Sequence, residues 1–258
     1  MSAPQSVAGV VDRGGALVGY LPVGFPDLQT SIDAAVALVE NGVDALELGL
    51  PYSDPVMDGL AIQKATQAAI AAGFRVSDVF RAVEGVRARV DAPVLVMTYW
   101  NPVVQYGVDR FADELRNAGG SGLITPDITP DSAADWIATS DRTGLDRVFL
   151  AAPLSTDERL TATVAASRGF VYAVSTMGIT GARSDVDAAA RALVSRIREA
   201  GDASTRTCVG IGISTGDQVA EVLQYADGAI VGSALVTALA DGGVAGVARA
   251  ASQLANGK

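Results

Sequence analysis

Eight short aliphatic or β-branched runs, each followed by an amphipathic stretch rich in alanine, constrain this chain more than anything else in it. The runs are Ala16 to Leu21, Ala45 to Gly49, Val94 to Tyr99, Gly122 to Pro126, Arg147 to Ala151, Phe170 to Ser175, Thr207 to Ile211 and Gly228 to Gly232. Helical signals fall between them, at Ser31 to Glu40, Val76 to Val90, Asp109 to Ala118, Asp131 to Thr139, Asp157 to Ala166, Val186 to Ala200, Thr215 to Tyr225 and Val244 to Leu254. Such alternation predicts a parallel sheet, because a crossover helix is what carries the chain back to start the next parallel strand. Eight units in 258 residues suit a closed (β/α)8 TIM barrel or two doubly wound halves. The barrel is the preferred reading, as a single domain over residues 1–258.

Composition agrees with strands covered on both faces. Hydrophobic residues make up 49% of the chain and charged ones 19%, which excludes a disordered segment of this length. The formal charge of -10 and the lack of any basic stripe argue against a nucleic-acid surface. With no histidine and one cysteine, Cys208, neither a zinc or other transition-metal site nor an internal disulfide is expected. The missing imidazole also leaves carboxylates and tyrosines to move protons. No run of roughly 18 uninterrupted apolar residues is present, and MSAPQSVAGVVDRGG lacks a signal-peptide core, so a cytoplasmic protein is expected.

Within the second run stands Glu47, between Leu46 and Leu48. Burying an ionised carboxylate without partners costs several kcal/mol or raises its pKa, so this residue needs a cation or a chemical task. Alternate strand residues share a face: if the leucines pack outward, Ala45, Glu47 and Gly49 face the interior near the C-terminal mouth. A structural glutamate satisfied by the backbone or by a distant arginine is the competing reading. Asp58, in VMDGLAIQ, is either a turn former or a second carboxylate that stays ionised beside a proton-exchanging Glu47. Asp54, in YSDP, is its rival. The longest stretch between strands runs from Gly49 to Val94, and Asp58 to Gly73 is read there as a loop plus an extra helix, of the kind that builds barrel active sites.

Glycine-rich segments follow the last three strands: Met177 to Arg183, Val209 to Ser214 and Val231 to Leu235. Loops after strands seven and eight, next to a helix N-terminus, are where many barrels hold phosphate through backbone N–H groups. Gly232 and Ser233 open a short helical stretch, Ala234 to Ala240, and are candidates for that cradle. Tyr172 shares a strand face with Phe170 and Val174, and Tyr99 ends the third strand; a core role and a site role are both open for each. Trp100, Asn101 and Pro102 read as a rigid loop that is also a candidate partner contact, while Cys208 reads as inert core.

The segment ALELGLPYSDPVMDG, Ala45 to Gly59, resembles the signature of the tryptophan synthase alpha chain family. Agreement continues through GYLPVGFPD, MTYWNP, LITPD, STMGITGAR, VGIGIS and DGAIVGSALV, in family order and over nearly the whole chain. The resemblance implies a (β/α)8 barrel lyase of tryptophan biosynthesis that splits indole-3-glycerol phosphate into indole and glyceraldehyde 3-phosphate by a retro-aldol reaction. It implies that Glu47 is the general acid/base and that Asp58 is the carboxylate bonded to the indole N–H. Tyr172 matches the family tyrosine near that glutamate, and Tyr99 is carried with it as substrate-binding. Thr180 and Gly181 match the loop after strand six, and Gly181, Gly210, Gly212, Gly232 and Ser233 match positions around the phosphate. A beta chain is the implied partner, in an alpha2beta2 heterotetramer, with Asp54, Asn101 and Pro102 at the contact. The pyridoxal phosphate of the pair belongs to that beta chain, so no cofactor is expected here.

Three departures from the family pattern stand out: Leu60 where proline is usual after Asp58–Gly59, Thr129 in place of a leucine-proline step, and a short segment before Ala16. The last predicts a less well covered barrel floor. Rival functions are another phosphate-binding barrel enzyme, which would want a catalytic lysine or paired aspartates at strand ends, and a non-catalytic regulatory partner of the beta chain.

Overall fold

The computed structural model describes residues 5–174, 183–210 and 212–258. Its strands are β1 (Ala16–Pro22), β2 (Ala45–Gly49), β3 (Val94–Met97), β4 (Gly122–Thr125), β5 (Asp146–Ala151), β6 (Val171–Val174), β7 (Thr207–Gly210) and β8 (Gly228–Val231). Each pairs in parallel with the next, and β8 returns to β1 through Ala16↔Gly228 and Gly19↔Val231. Closure decides between the two architectures open to the sequence: the fold is a (β/α)8 TIM barrel. The helices are α1 (Ala8–Val11), α2 (Leu28–Glu40), α3 (Leu60–Ala71), α4 (Ser77–Arg87), α5 (Trp100–Tyr106), α6 (Val108–Asn117), α7 (Ala134–Thr143), α8 (Asp157–Ala166), α9 (Arg183–Ala200), α10 (Gly216–Leu223) and α11 (Ser233–Ala255).

Strand alternation divides the apolar residues into two cores. Ala16, Val18, Ala45, Leu95, Ile124, Val148, Phe170, Tyr172, Cys208 and Ile230 fill the barrel interior. Leu17, Leu46, Leu48, Val94, Val96, Leu123, Phe149 and Val209 face outward and bury against the helices. Removing both strand faces from water is what makes the near-continuous aliphatic runs stable as a parallel sheet.

Three details differ from the sequence reading. Trp100, Asn101 and Pro102 are not a loop but the first turn of α5, which tolerates proline because a first-turn N–H has no intrahelical partner. There the Trp100 N–H donates instead to the Asp127 carboxylate at 2.9 and 3.0 Å. The stretches Ala234 to Ala240 and Val244 to Leu254 belong to one long element, α11, broken at Gly243 by a backbone (φ 56°, ψ -156°) outside the helical region. By length and mean hydropathy (1.3) α11 would pass for a membrane span, but it packs on β1, α2 and α10 as a barrel helix.

Finally, the short N-terminal segment covers the barrel floor well. Val7, Val10 and Val11 are buried in the interior core, and the buried Asp146 carboxylate accepts the Val7 N–H at 2.8 Å and the Ser6 hydroxyl at 3.0 Å. Burial pushes the Asp146 carboxyl up to about 6, against the lowering effect of those two bonds and of Arg168 and Arg147.

At the floor β4 and β5 also leave no room for a side chain at Gly122. A Cβ at Gly122 would lie 2.1 Å from the Asp146 carbonyl oxygen, so no side chain fits unless the two strands separate. Gly122→Ala is expected to destabilise the fold by about 3 kcal/mol, read from the urea unfolding midpoint at unchanged slope.

Candidate active site

The polar side chains singled out by sequence gather toward the C-terminal end of the barrel: Glu47 and Asp58 from β2 and the loop after it, Tyr99 after β3, Tyr172 from β6 and Ser233 after β8. Glu47 is 1% exposed, pointing inward from β2 as its alternation with Leu46 and Leu48 requires. One of its oxygens, Oε2, is fully buried with no hydrogen-bond partner among the described residues. Burial first, and the negative field of Asp58 second, push its carboxyl up to about 8. Among the described residues no cation contributes to that shift, which leaves the arginine-satisfied structural role without support there. Glu47 therefore carries a proton at neutral pH.

Asp58 hangs from the loop between β2 and α3, and Gly59 caps the helix that follows. Its Oδ1 accepts the Tyr99 hydroxyl at 3.4 Å, while that hydroxyl accepts the Met57 N–H at 2.9 Å; Gln63 Nε2 donates to the Asp58 carbonyl at 2.7 Å. Burial raises the Asp58 carboxyl, and the bond from Tyr99 opposes that rise. Two carboxylates thus sit in one mouth with no counter-charge among the described residues, and the hydrogen bond from Tyr99 goes to the one closer to solvent. Such a division favours the proton on Glu47, the more deeply buried of the two, and gives an Asp58 anion a hydrogen-bond donor.

Tyr99 is buried at the end of β3 and stacks at 5.2 Å on Tyr52, whose hydroxyl accepts a bond from Asn101 Nδ2 at 3.3 Å. It acts as a clasp that ties the Asp58 loop to the third strand. Across the barrel, Tyr172 on β6 is buried too, and its hydroxyl leans over Gly210: a Cβ there would come within 2.1 Å of the phenol oxygen. Burial, then Glu47 and Cys208, hold the Tyr172 phenol firmly protonated.

Gly210 ends β7, and Gly212, at φ 78°, adopts a left-handed conformation that disfavours any side chain. Gly232 caps α11 and Ser233 is its first residue, exposed at the mouth; a Cβ on Gly59 would stand 3.6 Å from the Ser233 hydroxyl, so this helix start adjoins the Asp58 loop. Backbone N–H groups at a helix N-terminus between two glycine turns are an anion site by geometry. Thr180 and Gly181 lie outside the described residues. Asp54 and Asn101 are exposed at the rim, whereas Pro102 is buried within this chain. Among the described residues no group of three or more His, Cys, Asp or Glu side chains is placed to hold a metal ion.

The sequence profile described as tryptophan synthase alpha chain matches residues 10–256. The chain belongs to that family. A tryptophan synthase alpha chain from Leifsonia xyli subsp. xyli is 72% identical over 246 residues, covering 95% of this chain and 94% of that protein. One from Mycobacterium avium is 56% identical, covering 95% and 90%. Among solved structures, Mycobacterium tuberculosis tryptophan synthase superposes with a TM-score of 0.91 at 50% identity, covering 99% of this chain and 98% of that one. The tryptophan synthase a2b2 complex of Pyrococcus furiosus gives 0.86 at 34% identity, covering 93% and 98%.

Within this alpha chain family member one site residue escapes a reading of the sequence. Tyr20, on β1, is buried beside Gly49 and Gly232, and burial followed by Asp58, Glu47, Tyr99 and Tyr172 keeps its phenol protonated. Its signal is weak: a tyrosine on the Ala16 and Val18 face of an aliphatic strand looks like core until its register with Glu47 is known.

A raised carboxyl pKa carries a sign for stability. With about 8 in the folded state against an ordinary 4.5, Glu47 contributes stability below pH 4.5 that is lost as pH rises through 8. Glu47→Gln should therefore remove that loss: relative to wild type, the variant gains on the order of 3 kcal/mol between pH 5 and pH 8, measured by denaturant unfolding at both.

Proposed function

We propose that this protein acts as the alpha subunit of tryptophan synthase, cleaving indole-3-glycerol phosphate to indole and glyceraldehyde 3-phosphate. The observation that carries the reading is Glu47: a buried, cation-free carboxyl that titrates at about 8, with the second carboxylate Asp58 in the same mouth. Retro-aldol cleavage needs one proton delivered to indole C3 and one taken from the adjacent glycerol hydroxyl. A single protonated carboxyl performs both in turn. Glu47 gives its proton to C3, which leaves a positive charge on the ring nitrogen; Asp58, bonded to that N–H, stabilises the charge as it develops. Glu47, now ionised, accepts the hydroxyl proton, the carbonyl forms, and the electrons of the breaking C–C bond return to the ring to release indole. The acid is regenerated.

The phosphate falls to the α11 N-terminus, with Gly232, Ser233, Gly210 and Gly212 as its cradle; by family resemblance Gly181 joins it, and Thr180 belongs to the substrate-binding loop after β6. Tyr99 and Tyr172 flank the indole side. A beta chain is the fitting partner, as in the Pyrococcus furiosus a2b2 complex. Supporting this, the segments that follow β2 and β3 expose apolar side chains at Val56 (80%), Leu60 (72%) and Val104 (47%), near Asp54 and Asn101 in sequence. Pro102, being buried, would shape that surface from below rather than touch the partner. Such a soluble biosynthetic enzyme is assigned to the cytoplasm, with one barrel domain over 1–258.

Indole release from indole-3-glycerol phosphate, measured with and without a beta chain, tests the reading. Glu47→Gln is expected to lower kcat by about 1,000-fold and Asp58→Asn by about 100-fold, with phosphate binding kept. Equal turnover in wild type and Glu47→Gln would overturn the assignment, and a chain that only modulates the beta reaction would be regulatory instead. Because the first proton comes from neutral Glu47, kcat/KM of wild type should fall as pH rises through about 8.

A further inference from the structure

Two phenols face Glu47, and Tyr20 is the one with no task in the chemistry above. It stands opposite Glu47 in the β1–β2 register, on the strand face that alternation gives it in common with Ala16 and Val18. Side chains in register on neighbouring parallel strands are about 5 Å apart at their base. Its hydroxyl leans across β2 above Gly49, where a Cβ would stand only 2.2 Å away, and the base of its ring lies beside Gly232. Gly49 follows Glu47 on the same strand face, so the phenol oxygen lies over the path of a Glu47 side chain extended toward the mouth. Tyr99 is committed to Asp58 and Met57, whereas Glu47 Oε2 is buried without a partner among the described residues. Among the described residues the groups coupled to Glu47 are Asp58 from the loop after β2, Tyr20 from β1, Tyr172 from β6 and Cys208 from β7, none of them a cation.

We propose that Tyr20 is a positioning residue whose hydroxyl donates a hydrogen bond to the Glu47 carboxylate during the interval in which that carboxylate is ionised. This rests on Glu47 being the acid/base group. A neutral Glu47 needs no such donor, but the anion left after C3 protonation does, because a buried carboxylate without one reclaims a proton from the nearest source. No proton leaves Tyr20 in the step; it holds the anion in place until the glycerol hydroxyl gives up its own. Gly49 makes the arrangement possible by leaving the space that the hydroxyl occupies.

The test follows the Glu47 carboxyl directly, by carbon NMR titration of the full chain labelled at glutamate, with the Glu47→Gln spectrum assigning its signal. In Tyr20→Phe the Glu47 midpoint should move up by about one pH unit. Its kcat for indole release should fall about three- to tenfold, with KM little changed. Gly49→Ala, which displaces the hydroxyl without removing it, should shift the midpoint in the same direction; far-UV circular dichroism checks that both variants fold. An unmoved midpoint in Tyr20→Phe overturns the proposal whatever happens to turnover. Full activity in Glu47→Gln is a separate failure: it removes the acid/base reading and, with it, any catalytic meaning of a shifted midpoint.

Discussion

Keeping a carboxyl in an apolar barrel mouth without a cation is the constraint on which the rest of the site depends. Glu47 meets it by holding its proton, because burial first and the negative field of Asp58 second disfavour its anion. An arginine in the mouth would have satisfied Glu47, lowered its pKa and ended its use as an acid. Tyrosines take the place of cations instead: Tyr20, Tyr99 and Tyr172 offer O–H donors while adding no charge.

Those phenols fit because glycines stand beside them. Tyr20 occupies the space above Gly49 and Tyr172 the space above Gly210, each reaching from its own strand across the next one. At both places an alanine would collide with the phenol oxygen, so the glycines serve side-chain volume rather than backbone freedom. Gly212 differs, since its left-handed backbone is what forms the turn after β7. Glycines in the segments VGIGIS and ALELGLPYS thus answer to two separate physical demands.

Much of this was legible in the residues. Eight runs at regular intervals specify a barrel because both faces of every strand are apolar, and Glu47 stands out because a charge within such a run is expensive. Asp58 alone was ambiguous, as any Asp-Gly pair is, until the Tyr99 bond and shared burial with Glu47 were visible. Tyr20 was hidden because its meaning depends on strand register, a property of pairs of segments that no single run contains. Helix α5 was hidden by Pro102, which reads as a breaker unless the helix is known to begin at Trp100. The four-residue α1 is too short for periodicity to reveal, and tertiary contact alone holds it in place.

That small N-terminal helix has a consequence for traffic through the molecule. Val7, Val10 and Val11 seal the end of the barrel opposite Glu47, and Asp146 fastens the seal. The enzyme is therefore a blind well. Indole released beside Asp58 has no way down through the packed interior and leaves by the mouth, whose rim carries Val56, Leu60 and Val104. Whatever docks on that rim stands across the exit and receives the product before bulk water does.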